Sequence, residues 1–199
     1  MMDIPNALLY RPNMEHYHSS VIACFCMSDG WNEQTLLKLK ERTGASFLVG
    51  IQTIASEAEY PSIVEGIVRC QYEDIQQVIK LLDISPRGLI GIDVIDIQDL
   101  FKRSYEYNFI HSCITDPSSL DREKISVHNL INQLSDNISV KGFLVGMESS
   151  ESISLDTTTY VIEALENCII ADDLDKYYCT SMTSDPDSFC LRMIYAKDR

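Results

Sequence analysis

Asp93 and Asp96 are the residues whose type and spacing most invite chemistry. They lie in Gly88–Leu100, which reads Gly-Leu-Ile-Gly-Ile-Asp-Val-Ile-Asp-Ile-Gln-Asp-Leu, just after the turn signal Ser85-Pro86-Arg87-Gly88. Carboxylates three residues apart share one face of a helix. Such a pair does acid–base work when burial drives the two pKa values apart. The plainer use is capping, because acids near a helix start suit the positive end of its dipole. On spacing alone, a cap and a solvated acidic edge are the better account, with the helix running to about Lys102. His111 and His128 are further acid–base candidates. His128 falls in an expected helix near its apolar face, where a lone histidine is structural. Spacing fixes no Ser/His/Asp or Cys/His set. His16 and His18 share a face if extended and, with Glu15, make a candidate metal site. The competing reading of that region is an irregular arm.

Composition narrows the classes. At 199 residues the chain suits one large or two small domains. A formal charge of -14 argues against a nucleic-acid partner, which needs clustered Lys and Arg, and against an anionic membrane surface. No run reaches membrane-spanning length and no signal-peptide pattern opens the chain. Met1-Met2 reads as a natural start, and a cytoplasmic location is expected. The seven cysteines are odd in number, lack a Cys-x-x-Cys pair and sit mostly in apolar runs. They read as free buried thiols in a reducing compartment. Cys24 and Cys26 share a strand face, as core residues rather than metal ligands.

The elements that must position these residues follow in order. Residues 1–19 carry Pro5 and Pro12 and read as the irregular arm. Val21–Met27 is an apolar strand. Asn32 caps a helix over Glu33–Arg42 that Gly44 closes, and Phe47–Ile54 is a second strand. This is a parallel βαβ unit. Pro61 opens a short helix over Ser62–Arg69, and Tyr72–Leu82 is a clearer one. Ser104–Asn108 is a polar, aromatic hinge and marks a division near residue 104. The second part reads as strand Phe109–Thr115, helix Asp121–Leu134, strand Gly142–Met147, and helix Leu155–Asn167 capped by Ser154. Strands Lys176–Thr183 and Phe189–Ala196 follow, expected to close as a hairpin. The fold class is α/β: a partial doubly wound βαβ unit, then a βαβαββ domain with two helices on a four-stranded sheet.

Several of these stretches resemble FtsZ, the bacterial relative of tubulin. Gly88–Ile97 resembles that family's acidic synergy loop, with Gly91 at its Asn and Asp93 and Asp96 at its two acids. Gly142-Phe-Leu-Val-Gly-Met is similar to a strand of its C-terminal domain, and Ser152-Ile-Ser-Leu-Asp to the helix start that follows. Thr180-Ser-Met-Thr-Ser-Asp-Pro-Asp and Cys190-Leu-Arg-Met-Ile-Tyr-Ala resemble its last two strands. Val21–Ser28 and Phe47–Gln52 resemble late strands of its GTPase domain. The resemblance covers about residues 20–196, in the family's order. Beyond the irregular arm at 1–19, it implies the end of a GTPase domain at 20–103 and a C-terminal domain at 104–199.

The resemblance also implies a role, and the departures qualify it. The family's Gly-rich phosphate loop has no counterpart among the eight glycines, no two of which are adjacent. Phosphate cradles need such a turn, so no cofactor and no GTP binding are expected. In the family the two acids act on nucleotide held by a neighbour. The expectation is therefore a non-catalytic module that assembles with itself or an FtsZ/tubulin-like protein, modulating or capping a filament through Gly91, Asp93 and Asp96. The alternatives are a small-molecule sensor with its ligand between the two halves and, behind that, an enzyme using Asp93 and Asp96.

Overall fold

The computed structural model describes residues 6–53, 61–83, 89–116, 118–119, 121–134, 138–170 and 174–197. The expected turn at 85–88 and the strand end at Ile54 lie outside them. Among the described residues one mixed sheet organises everything. Its first five strands run parallel: β1 (Ala7–Tyr10), β2 (Ile22–Cys26), β3 (Phe47–Thr53), β4 (Gly66–Cys70) and β5 (Glu106–Ile114). Beyond β5 come β9 (Phe189–Lys197) and β6 (Ile138–Ser149), each antiparallel to its neighbour. β7 (Ile169–Ile170) and β8 (Asp175–Met182) both pair with β6 in parallel.

Five helices cover two faces. On one face α1 (Glu33–Thr43) packs Leu36 and Leu39 over Phe25, Leu48 and Ile67. On that same face α4 (Arg122–Ile131) and α5 (Leu155–Glu166) bury Val127, Leu130, Val161 and Leu165 against β6 and β9. The opposite face carries α2 (Ile75–Leu82) and α3 (Val94–Arg103), whose Val78, Leu82, Ile97 and Leu100 close a core over Val49, Val68, Phe109 and Ile194. Local signals match these bounds. Asn32 and Thr35 form a reciprocal capping box at α1, and Gly44 ends the helix at φ 69°. Ser154 caps α5 by accepting from the Thr157 N–H.

The sequence expectations need five corrections. Ala7–Tyr10, placed in the irregular arm, is an edge strand with Ala7 and Tyr10 buried. Its apolar run is too short between Pro5 and Pro12 to show a period. Ser62–Arg69 is no helix, since Gly66–Cys70 is a central parallel strand. Ile63, Val64, Ile67 and Val68 imitate helical spacing, but β-branched residues buried on both sides favour a strand. Gly66 fits here because a Cβ would meet the Phe101 ring at 2.1 Å. Ser104–Asn108 runs into β5 rather than forming a hinge, with Tyr107 fully buried and its hydroxyl bonded to the Leu100 carbonyl. β8 and β9 form no hairpin: β6, buried on both faces through most of its length, lies between them. Finally, the seven thiols are not all free. Cys113 and Cys190 are opposed in the β5–β9 ladder and joined as a disulfide.

Candidate interaction surface

Segment 89–96 is fixed at both ends. Ile90 is pinned to the outer strand β8, donating its N–H to the Thr180 hydroxyl at 2.9 Å and accepting from the Thr180 N–H at 2.9 Å. Three residues on, Asp93 caps α3. One of its carboxylate oxygens accepts from the N–H groups of Ile95 (2.7 Å) and Asp96 (3.1 Å). Asp96 answers by accepting from the Asp93 N–H at 2.9 Å. Both acids therefore satisfy backbone donors that a helix start leaves open. The hydrogen bonds between the two residues run from backbone N–H to carboxylate, in the geometry of a capping box.

What the segment offers outward is mixed. Asp93 and Gly91 are exposed, and nothing stands within 4 Å of a Cβ added at Gly91. Leu89 and Ile95 are 58% and 62% exposed, and Met182 at the end of β8 is 55% exposed. Leu89 and Ile95 thus stand either side of Asp93 along an exposed segment, two of ten large apolar side chains that are exposed among the described residues. Behind it α3 is held by buried Ile97, Leu100 and Phe101 and by the Arg103–Asp175 ion pair. Tyr177 lies near Asp96, Asp99 and Asp175. Burial first, and those carboxylates next, push its phenol above its ordinary range.

The histidines are not brought to these acids. His111 Nε2 lies 2.8 Å from Asp74, just ahead of α2, and its Nδ1 is buried without a partner among the described residues. His128 is exposed on α4 and meets Asn132 at 3.0 Å. Among the described residues no group of three or more His, Cys, Asp or Glu is placed to hold a metal ion. No helix there is long and apolar enough to cross a membrane.

A second polar cluster was invisible in the sequence. Glu148 on β6 and Arg192 on β9, each 4% exposed, pair at 3.1 Å on the face covered by α2. Arg192 also donates to Gln77 (2.6 Å), and Lys80 reaches Glu148 (2.8 Å). An Arg inside a strand pattern hinted at a buried partner, but nothing named it. Across the sheet, a cavity of about 700 Å³ is lined by Gln52, Arg69, Asn108, Gln133 and Tyr195, from both halves of the chain.

Neither a family model nor a curated protein matches the chain. Solved structures do. An FtsZ mutant from M. jannaschii superposes with a TM-score of 0.64 at 12% identity, over 88% of this chain and 64% of its own. CetZ from Methanosaeta thermophila strain DSM 6194 gives 0.55 at 13%, over 91% and 63%. TubZ in GDP-form protofilaments from Bacillus thuringiensis serovar israelensis gives 0.57 at 9%, over 90% and 62%. The chain thus has the FtsZ/tubulin fold and spans less than two thirds of each of these proteins.

Proposed function

We propose that this chain is a non-catalytic assembly module that docks end-on to a copy of itself or to an FtsZ/tubulin-like protein. The observation that carries the reading is segment 89–96. Exposed Leu89 and Ile95 flank Asp93 on a loop held rigid by Thr180 and the α3 cap. In this reading residues 20–103 carry the contact surface and residues 104–199 the body behind it. A subunit with such a surface but no phosphate loop adds to one end of a filament and is not extended from its other side. It acts as a cap.

The test is sedimentation of FtsZ polymers from the source cell with substoichiometric chain. Wild type should lower polymer mass or length. Ile95→Lys, which leaves the cap untouched, should abolish the effect while the fold survives. Unchanged polymers with both proteins would sink the reading.

A second reading has its own observation. Tyr195 is 8% exposed and lines the cavity of about 700 Å³ together with Gln52, Asn108 and Gln133. Pockets of ~300–1,000 Å³ with a few polar groups hold small molecules, so a ligand seated between the halves is the alternative. Here a thermal-shift screen with common metabolites should find a stabiliser whose effect disappears in Tyr195→Phe.

A further inference from the structure

Cys113 and Cys190 face each other across β5 and β9 with Cα atoms 4.1 Å apart. We propose that this cystine is a reversible thiol–disulfide site that sets how firmly α2 docks on the sheet. α2 and segment 89–96 share one core, with Leu81 and Leu82 in it and Ile92 and Val94 packed against it, so the docking of α2 bears on how that segment is presented, a last step that rests on the assembly reading above.

Reactivity sets this pair apart from four of the other cysteines. The thiolate is the species that exchanges. Burial pushes the thiols of Cys24 and Cys26 up, and those of Cys70 and Cys179 to about 12, so these four stay protonated and inert near neutral pH. Cys168 is free and stands beyond the end of α5. Within the cystine, Cys113 is partly exposed and Cys190 is 7% exposed, so an incoming thiolate reaches the Cys113 sulfur. With a dithiol reductant, that attack breaks the Sγ–Sγ bond. The electron pair leaves on Cys190, which takes up a proton. The reductant's second thiol then displaces Cys113, leaving two protein thiols and an oxidised dithiol. A small-molecule disulfide such as oxidised glutathione runs the exchange in reverse.

The consequence follows from what stands beside the cystine. Residues two apart on a strand share a face, so His111 and Arg192 flank it, directly opposite each other. Glu148 is the β6 partner of Cys190. These three side chains fasten the polar edge of α2 and the turn before it: His111 to Asp74 (2.8 Å), Arg192 to Gln77 (2.6 Å), Glu148 to Lys80 (2.8 Å). Two unbonded sulfurs cannot sit at bonding distance, so reduction moves the end of the β5–β9 pair. A close-packed interior passes such a shift to its neighbours rather than absorbing it. The α2 contacts are the neighbours. The apolar stripe Ile75, Val78, Ile79 and Leu82 keeps the helix in place, so its docking loosens without being lost.

Mass spectrometry and hydrogen exchange test this. Protein purified without reductant, then unfolded and alkylated, should carry five labels and one peptide pair linked through Cys113 and Cys190. Seven labels would overturn the proposal. In the native protein, dithiothreitol should expose Cys113 and Cys190 to alkylation ahead of the buried Cys24, Cys26 and Cys70. It should also speed exchange across 72–83 by about threefold or more, local opening being the step that exchange reads. Oxidised glutathione should restore the slower rate, and Cys113→Ser should show the faster rate in either condition. If that variant does not fold, the reduced and reoxidised wild type read the same quantity. An exchange rate indifferent to redox state would refute the coupling. Polymer sedimentation in both states then separates the two readings. Altered exchange with unaltered sedimentation upholds the thiol site and removes the assembly role.

Discussion

Replacing Asp93 by alanine separates two uses of one carboxylate. In the fold it accepts from two backbone N–H groups, at 2.7 and 3.1 Å, and its own N–H is held by Asp96 at 2.9 Å. Losing an acidic N-cap costs about 0.5–2 kcal/mol. The charge at the positive helix end accounts for ~0.3–1 kcal/mol of that at an exposed site. Ile97, Leu100 and Phe101 stay buried, so only the first turn frays. The melting temperature should fall by roughly 1–8 °C, since in a chain of this size 1 kcal/mol moves it by about 2–4 °C. Asp93→Asn is the control. Asn caps as well as Asp but lacks the charge, so stability should return to within about 0.3–1 kcal/mol of wild type. Urea unfolding followed by far-UV circular dichroism reads the fold, and sedimentation of FtsZ polymers reads the surface. If the carboxylate meets a partner, Asp93→Asn regains stability and still loses the polymer effect. An Asp93→Ala chain as stable as wild type would refute the capping argument. An Asp93→Asn chain with the full polymer effect would refute a role for the charge.

Three further outcomes are expected. Gly66→Ala forces the Phe101 ring or β4 to move and should cost about 1–3 kcal/mol in urea unfolding, as overpacking does. Arg192→Ala leaves Glu148 with Lys80 as its remaining charge partner, so it should cost less than the ~3–5 kcal/mol of a fully stranded buried charge, and removing Lys80 as well should bring the loss up to that range. Stability should fall above pH 9.0, because Cys70 and Cys179 lose their protons near that ordinary value when unfolded but near 12 when folded. Between those values the folded state binds more protons, so each thiol removes up to about 1.4 kcal/mol per pH unit and contributes nothing below the window. A flat urea midpoint from pH 8 to about 10.5 would contradict that.

The positions where sequence reasoning succeeded and failed share a physical pattern. Asp93, Asp96, Asn32, Gly44 and Ser154 were legible because a helix end is satisfied by residues within four positions of it, so spacing along the chain is the interaction itself. The same locality decided the reading of the two acids. One oxygen of each carboxylate is taken up by backbone N–H groups of the helix start, which is the capping use of the pair. Failures came where the deciding partner was lateral. β4 looked helical because nothing in Ile63–Val68 reveals that β3 and β5 will bond it from both sides. The expected hairpin failed because Met182 and Phe189 are close in sequence while β6 takes the place between their strands. Cys113 and Cys190, separated by 77 residues, and Arg192 with Glu148 belong to the same class. Each pair is set by a register that the chain acquires only when the whole sheet forms. The Asp93–Asp96 cap, built on local signals, should therefore keep its hydrogen bonds when distant strands are perturbed, whereas the Ile90–Thr180 anchor should not. The Arg192 cluster and the cystine should fail together with the β5–β9–β6 register.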